Sequence, residues 1–185
     1  MIDDVLKDTT RRMDKSVEAT RHEFMSVRTG RASTALLDRV QVNAYGTKMP
    51  LNQVATISVP EPRLLTITPF DKSTIRDIER AILESDLGLT PSNDGRLIRL
   101  PIPQLTEERR KELVRQVRHL AEEGRVAVRN VRRDGLHHLK DLERDGHVGA
   151  DDVHRAEDRL QKVTDQHVAA IDSALKAKEA EIMEV

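Results

Sequence analysis

Arginine is the residue with the clearest chemical potential in this sequence, because four arginines and no acidic residue fall between positions 125 and 133. At about 100° per residue, an α-helix would gather these side chains and one earlier arginine into a narrow cationic stripe. The stripe consists of Arg118, Arg125, Arg129 and Arg132, with Arg133 at its edge. The planar guanidinium group pairs well with phosphate oxygens, so the stripe predicts phosphate binding.

The target predicted for this stripe is structured RNA. Aromatic residues, which stack on unpaired bases, are limited to Phe24, Tyr45 and Phe70. Arginines without aromatic neighbours suit an RNA that is read through its backbone and shape. Two alternatives stay open from the residues alone. The arginines could be held by acids of neighbouring helices on a solvated face, or the chain could be a coiled-coil adaptor whose arginines match acidic side chains of a protein partner.

Bond-making chemistry is not predicted. The chain has no cysteine, no Gly-x-Ser-x-Gly motif and no phosphate loop of the Gly-x4-Gly-Lys-Ser/Thr type. Four histidines lie near acidic residues, but their spacing matches no standard zinc pattern. These histidines are His137, His138, His147 and His154. The sequence therefore predicts a protein that is not an enzyme and that uses neither a metal nor a cofactor.

A long helix must position the arginines, because no proline interrupts the chain between Thr106 and Asp145. Its apolar residues recur at spacings of three and four and define one seam. The seam consists of Leu113, Val117, Leu120, Gly124, Val128 and Val131. Two further helices are predicted, over residues 1–29 and from Asp151 or Asp152 to near the end of the chain. Three such seams can bury one another only in an antiparallel three-helix bundle.

A second domain is predicted between the helices, because all seven prolines lie between positions 50 and 103. Four short strands, near residues 39–45, 54–59, 64–68 and 97–100, accompany one helix from Ser73 to Gly88. The predicted fold is therefore α+β. Residues 1–29 and 106–185 form the bundle, residues 30–105 form the inserted α/β domain, and two chain crossings near residues 30 and 105 form a hinge.

Composition limits the partners and the compartment. The formal net charge is −1 and charged residues make up 34% of the chain, so cationic contact must come from a local stripe. The N-terminus has no apolar segment, and no stretch approaches the roughly 20 apolar residues of a membrane span. We expect a cytoplasmic monomer that binds neither membrane nor DNA.

Five ordered motifs are spread over the whole chain. They are Arg-Thr-Gly-Arg-Ala at 28–32, Ser-Asp-Leu-Gly-Leu at 85–89, Leu-Thr-Glu-Glu-Arg-Arg-Lys-Glu at 105–112, Val-Ala-Val-Arg-Asn-Val-Arg-Arg-Asp at 126–134 and Lys-Glu-Ala-Glu-Ile-Met at 178–183. Together they resemble the ribosome recycling factor family. The resemblance implies an L-shaped protein of two domains. It also implies that the protein enters the post-termination ribosome and, with elongation factor G and GTP hydrolysis by that partner, separates the subunits.

The resemblance also implies roles for particular residues. In this family the helical domain lies on large-subunit rRNA, and the matching positions are Arg110, Arg129 and Arg132. Together, the stripe and the resemblance give an expected rRNA-binding set of Arg110, Arg118, Arg125, Arg129, Asn130, Arg132 and Arg133. The smaller domain is implied to swing about a hinge formed by Arg28, Thr29, Gly30, Arg31, Gln104 and Leu105.

Overall fold

A computed structural model describes residues 1–184 and divides into two compact units. The helical unit contains Met1–Thr29 and the chain from Thr106 onward, and the inserted unit is Gly30–Leu105. Along the chain the helices are α1 (Ile2–Ser26), α2 (Leu51–Val54), α3 (Ile75–Glu84), α4 (Glu107–Arg144) and α5 (Ala150–Met183). The strands are β1 (Gln41–Ala44), β2 (Thr47–Pro50), β3 (Ala55–Glu61), β4 (Leu64–Pro69), β5 (Ser92–Asn93) and β6 (Ile98–Pro101).

The helical unit is an antiparallel three-helix bundle in which α4 packs against both α1 and α5. The side chain of Thr106 caps the start of α4, because its Oγ1 accepts a hydrogen bond from the Arg109 backbone N–H at 3.1 Å. The buried residues of α4 are Leu113, Val117, Ala121, Gly124, Val128, Val131, Gly135 and Leu139. The predicted seam placed Leu120 in the core, but the buried row steps four residues from Val117 to Ala121, and Leu120 is half-buried at its side.

The apolar and small residues of α5 predict a packing face that is right at its start and wrong further along. The predicted positions are Val153, Ala156, Leu160, Val163, Ala170, Ala174 and Ala177. The buried residues are Val153, Ala156, Leu160, Thr164, Ile171 and Ile182, so the first three positions are confirmed and the last four are half-buried or exposed. A threonine can take a core position here because its hydroxyl donates to the Leu160 carbonyl oxygen one turn earlier at 2.8 Å. Hydrophobicity alone therefore loses the register of this helix after Leu160.

Close approach of α1 and α4 is made possible by two glycines that face two buried threonines. A Cβ atom added at Gly124 would lie 2.2 Å from Oγ1 of Thr20, and one added at Gly135 would lie 2.9 Å from Oγ1 of Thr9. Both threonine hydroxyls donate within α1, to the carbonyl oxygens of residues 16 and 5 at 3.0 and 2.7 Å. The absence of a side chain at each glycine thus leaves room for a threonine of the neighbouring helix.

The inserted unit contains a four-stranded antiparallel sheet in the order β3-β4-β6-β5 and a separate β1-β2 hairpin. Its core is aliphatic and includes Leu37, Val42, Leu51, Leu65, Ile67, Ile78, Ile82, Ile98 and Leu100. The helix predicted from Ser73 to Gly88 is shorter: residues 72–74 form a 3-10 turn and α3 ends at Glu84. Strands β2 and β5 were not predicted, because one is polar and the other is only two residues long.

Asp3 is a plausible N-cap of the first predicted helix, and Asp151 or Asp152 of the last, but neither helix begins at these residues. Helix α1 begins at Ile2 and α5 begins at Ala150 after Gly149, so Asp3, Asp151 and Asp152 lie in first turns and do not cap. Acidic residues in a first turn still favour the helix through its dipole. The α+β class, with a three-helix bundle and an inserted β-rich unit, is confirmed.

Candidate nucleic-acid interface

Helix α4 positions every arginine of the predicted RNA-binding set, and the structure separates all of them except Arg110 into two groups. Arg118, Arg125 and Arg132 are seven residues apart and face α5. Arg129, Asn130 and Arg133 are exposed. We call the first group the ladder arginines and the second group the outer face.

The ladder arginines join α4 to α5 through side-chain hydrogen bonds. Arg118 Nε donates to Glu179 Oε1 at 2.6 Å, and Arg125 Nε donates to Asp172 Oδ1 at 2.7 Å. The third contact has a neutral acceptor, since Arg132 Nη1 donates to Gln161 Oε1 at 3.1 Å. Lys140 and Glu157 continue the series toward the end of α4, with Nζ and Oε1 3.0 Å apart. These contacts hold the helices in register, as charged flanking residues do in coiled coils.

Exposure differs strongly along this ladder. The Arg125 side chain is 20% exposed and also contacts Glu122 Oε2 at 2.9 Å, whereas the Arg118 side chain is 64% exposed. Burial disfavours the charge on Arg125, but its hydrogen bonds to Asp172 and Glu122 leave its pKa raised. The hydrogen bond to Glu179 likewise raises the pKa of Arg118. Both groups therefore stay cationic at any physiological pH.

The outer face leaves cationic groups available to a ligand. The Arg129 side chain is 44% exposed, and its only carboxylate partner among residues 1–184 is Glu122, at 3.3 Å from Nη1. Hydrogen bonds from Arg125 and Arg129 lower the pKa of Glu122, so that acid remains an anion. The side chains of Arg133 and Asn130 form no hydrogen bond or ion pair within residues 1–184. An incoming phosphate would thus meet two guanidinium groups that are weakly held or unpaired.

One further arginine, which the sequence analysis did not select, shares this exposed side. Arg115 is exposed and has no hydrogen-bond or ion-pair partner among residues 1–184. It precedes Arg133 by about five helical turns and therefore points in the same direction. Its direction follows from its position in the sequence, but it lies ten residues before the dense run of arginines at 125–133.

Arg110 lies apart from both groups. It is half-buried near the start of α4, and its Nε atom is buried without a hydrogen-bond partner among residues 1–184. A buried guanidinium N–H without an acceptor is uncommon in folded proteins. Because Nε is buried, this nitrogen is not accessible to a phosphate, and Arg110 does not extend the outer face.

The residues predicted to form the hinge lie at the boundary between the units. Thr29 closes the helical unit, and its Oγ1 donates to Glu181 Oε1 of α5 at 2.8 Å. The other Glu181 oxygen lies 3.5 Å from Lys178 Nζ, so both carboxylate oxygens are engaged. Gly30 has φ +78°, and a Cβ added there would lie 3.1 Å from Cγ of Leu105. Arg28, Arg31 and Gln104 are exposed.

Two other kinds of functional feature are absent from residues 1–184. No group of three or more histidine, aspartate or glutamate side chains in that range is arranged to hold a metal ion. Within the same residues, no helix combines the length and the apolar character needed to cross a membrane.

Comparisons with known proteins extend this picture to the whole chain. The family model described as ribosome recycling factor matches residues 20–183. A ribosome-recycling factor of Rubrobacter xylanophilus is 62% identical over 180 residues, which cover 97% of each chain. That of Carboxydothermus hydrogenoformans is 54% identical over 185 residues and all of both chains. These matches give no support to a coiled-coil adaptor.

Solved structures agree with the sequence matches. A solution structure of a ribosome recycling factor has a TM-score of 0.69 and 43% identity, covering 100% of this chain and 98% of that one. The T. thermophilus ribosome recycling factor, described with E. coli elongation factor G as bound to the E. coli post-termination complex, has a TM-score of 0.61 and 46% identity over all of both chains. The prediction that the chain is not an enzyme is confirmed, because its relatives are translation factors. The family model covers most of the chain, and two relatives of the same family are more than half identical to it over nearly their full length. The chain therefore belongs to the ribosome recycling factor family.

Proposed function

We propose that this protein recycles ribosomes in the cytoplasm. It binds the post-termination ribosome through large-subunit rRNA and, with elongation factor G and GTP, separates the two subunits for reuse. The observation that carries this proposal is the full-length similarity to a factor described together with elongation factor G on a post-termination complex. The chain itself supplies binding surfaces, and the free energy comes from GTP hydrolysis by the partner.

The RNA contact is assigned first to the outer face. Arg129 and Arg133 supply guanidinium groups to phosphates, and Asn130 between them supplies an uncommitted amide. Arg132, half-buried beside Gln161, can add a contact from the edge of the same surface. Arg110 belongs to the set through the family resemblance, and its side chain is half-buried near the start of α4. Arg118 and Arg125 act mainly by holding α4 to α5, because their acceptors already lie within the bundle.

The proposed mechanism needs a stiff bundle and a movable inserted unit. Helices α4 and α5, 38 and 34 residues long, share the ladder contacts and can transmit a load as one body. The inserted unit, residues 30–105, would swing on the two chain crossings formed by Arg28–Arg31 and by Gln104 and Leu105. Gly30, with its positive φ, is the residue of the first crossing that tolerates the sharpest backbone turn.

Purified post-termination ribosomes provide the test of this function. Light scattering should fall, as ribosomes split into subunits, when the protein, elongation factor G and GTP are all present. Omitting any one of the three, or replacing GTP by an analogue that is not hydrolysed, should abolish the fall. Splitting by the GTPase alone at the same rate, or no splitting with the complete mixture, would refute the proposal.

The hydrogen bond between Thr29 and Glu181 should affect splitting more than binding. This bond holds Thr29, the last residue of the helical unit before Gly30, against α5. Without it, the flexible part of the hinge should lengthen toward α1. A hydrogen bond to a charged group contributes about 1.5–3 kcal/mol, and we expect Thr29→Val to slow splitting several-fold with large-subunit affinity unchanged. Thr29→Ser keeps the hydroxyl and serves as the control. Equal splitting rates for Thr29→Val and Thr29→Ser would show that this contact has no part in the motion.

A further inference from the structure

One acidic residue of α4 lies beside the outer face. In the sequence from 125 to 134, which contains four arginines, Asp134 is the only acid. It directly follows Arg133 and lies four residues after Asn130, so its side chain and that of Asn130 are neighbours on the helix surface. The Asp134 side chain is 54% exposed. A carboxylate at this position would repel the phosphates that the outer face is proposed to bind.

An arginine of α1 compensates the charge of Asp134. Arg12 Nη2 donates to Asp134 Oδ2 at 2.7 Å, which joins residues 122 positions apart in the sequence. A hydrogen bond between a guanidinium and a carboxylate is among the stronger kinds in proteins. Because the donor belongs to α1, this bond directs the carboxylate toward the neighbouring helix. The pair also has no net charge, so the repulsion of phosphate at this edge of the outer face is cancelled.

The packing of α1 against α4 fixes the position of this pair. Gly135, the residue after Asp134, faces the buried Thr9, and a Cβ added at Gly135 would lie 2.9 Å from Oγ1 of that threonine. Arg12 lies one helical turn after Thr9 and directly before Met13, which is fully buried. The backbone next to each charged residue is therefore held in the core, and Arg12 and Asp134 project from fixed points of neighbouring helices.

The source of the compensating charge matters for the outer face. Glu122, an acid two turns before Arg129, is compensated from within α4, because it accepts hydrogen bonds from Arg125 and Arg129. That arrangement occupies part of an outer-face guanidinium. Asp134 is compensated from α1 instead, so its pairing with Arg12 uses no cation of the outer face. Without Arg12, the carboxylate would compete with RNA phosphates for the arginines of that face.

We propose that Arg12 is a positioning residue for RNA binding. It neutralises Asp134 and holds that carboxylate against α1, so that phosphates reach Arg129 and Arg133 without repulsion. Arg12 acts through Asp134 and does not itself contact the RNA. The inference rests on the proposed function, because it requires rRNA to bind at the outer face. It adds a residue of α1 to a binding set that the sequence analysis confined to α4.

Co-sedimentation of the full-length protein with isolated large subunits at low salt tests this role. Arg12→Gln should weaken binding roughly threefold to fivefold, because an uncompensated carboxylate then lies beside the bound phosphates. Arg11→Gln is the matched control. It removes the same charge from the next residue of α1, whose carboxylate partner, Asp8, lies within α1 at 2.6 Å. The control should bind as the native protein does, and equal losses for the two variants would overturn the inference.

A second substitution separates compensation of charge from support of the fold. Arg12→Gln with Asp134→Asn should bind as tightly as the native protein, because the repelling carboxylate is gone. A structural role for the ion pair predicts no such rescue, since the pair is still missing in the double variant. Asp134→Asn alone should bind at least as tightly as the native protein. All three variants should unfold at nearly the native temperature, because an exposed ion pair contributes little to stability.

The outcomes distinguish this inference from the proposed function. Native affinity for Arg12→Gln, weak binding by Arg12→Gln with Asp134→Asn, or weak binding by Asp134→Asn alone would each overturn the role of Arg12. Failure of the native protein to bind large subunits, or native affinity for Arg129→Gln with Arg133→Gln, would instead overturn the proposed RNA contact.

Discussion

Gly124→Val should destabilise the helical unit by about 2–4 kcal/mol. The first added carbon would lie 2.2 Å from Oγ1 of Thr20, and Cδ1 of Ile171 is 3.2 Å from the same point. Neither neighbour can withdraw freely, because Thr20 and Ile171 are both buried. Valine is a better helix former than glycine, but by only about 0.4 kcal/mol, which is too little to offset the clash. Urea unfolding followed by the helical circular dichroism signal measures the loss.

A double-mutant cycle with Thr20→Ala shows whether the clash is the cause. Alanine at position 20 removes the Oγ1 and Cγ2 atoms that Gly124→Val would contact, so the double variant should be destabilised by less than the sum of the two single variants. Gly149→Ala is the control, because a Cβ at Gly149 meets no atom within 4 Å. Strict additivity in the cycle would mean that α1 and α4 are not in close contact at this point.

Neutralising the outer face should weaken binding to large ribosomal subunits at least tenfold at low salt. In the variant Arg129→Gln with Arg133→Gln, two guanidinium groups that face solvent are lost while no contact between α4 and α5 is removed. Each charge-assisted hydrogen bond to phosphate contributes about 1.5–3 kcal/mol, and one such loss already accounts for a tenfold change. Co-sedimentation with isolated large subunits gives the affinity.

The ladder provides the matched comparison, since Arg118→Gln with Arg125→Gln removes the same formal charge from the same helix. That variant loses the bonds to Glu179 and Asp172, so we expect a lower free energy of unfolding and a smaller loss of affinity. The exposed pair of Arg118 contributes about 0–1 kcal/mol. Arg125 is only 20% exposed, so most of the lost stability should come from its bonds to Asp172 and Glu122. If the two double variants lost affinity equally, net charge and not the outer face would control binding.

Periodicity in the sequence was sufficient to predict the bundle but not the detailed role of its arginines. The apolar spacing and the N-cap at Thr106 predict a long helix α4, and its start and its length agree with the structure, although Leu120 lies beside the buried row. The split of the stripe depends on the pairing of Arg118 with Glu179 and of Arg125 with Asp172. That pairing requires the register of α5 against α4, and the apolar pattern of α5 departs from the buried row after Leu160, before Asp172 and Glu179 are reached.

Small and polar residues account for most of the remaining differences. Thr9, Thr20 and Thr164 can be buried because each hydroxyl donates a hydrogen bond to a carbonyl oxygen of its own helix. A pattern of hydrophobic residues does not select them. The exposure of Tyr45 and Phe70 could not be predicted either, since aromatic residues in a unit of this size would ordinarily be assigned to its core. In both cases the surroundings depend on residues that are distant in sequence, such as Gly124 beside Thr20 and Asp71 beside Tyr45.

The salt dependence of binding to isolated large subunits tests the central claim most directly. If guanidinium groups of the outer face neutralise rRNA phosphates, the logarithm of the binding constant should fall linearly with the logarithm of salt concentration. The slope for Arg129→Gln with Arg133→Gln should be shallower than the native slope by about two, one for each lost phosphate contact. A native affinity that does not change with salt, or the same slope for the variant, would contradict the claim.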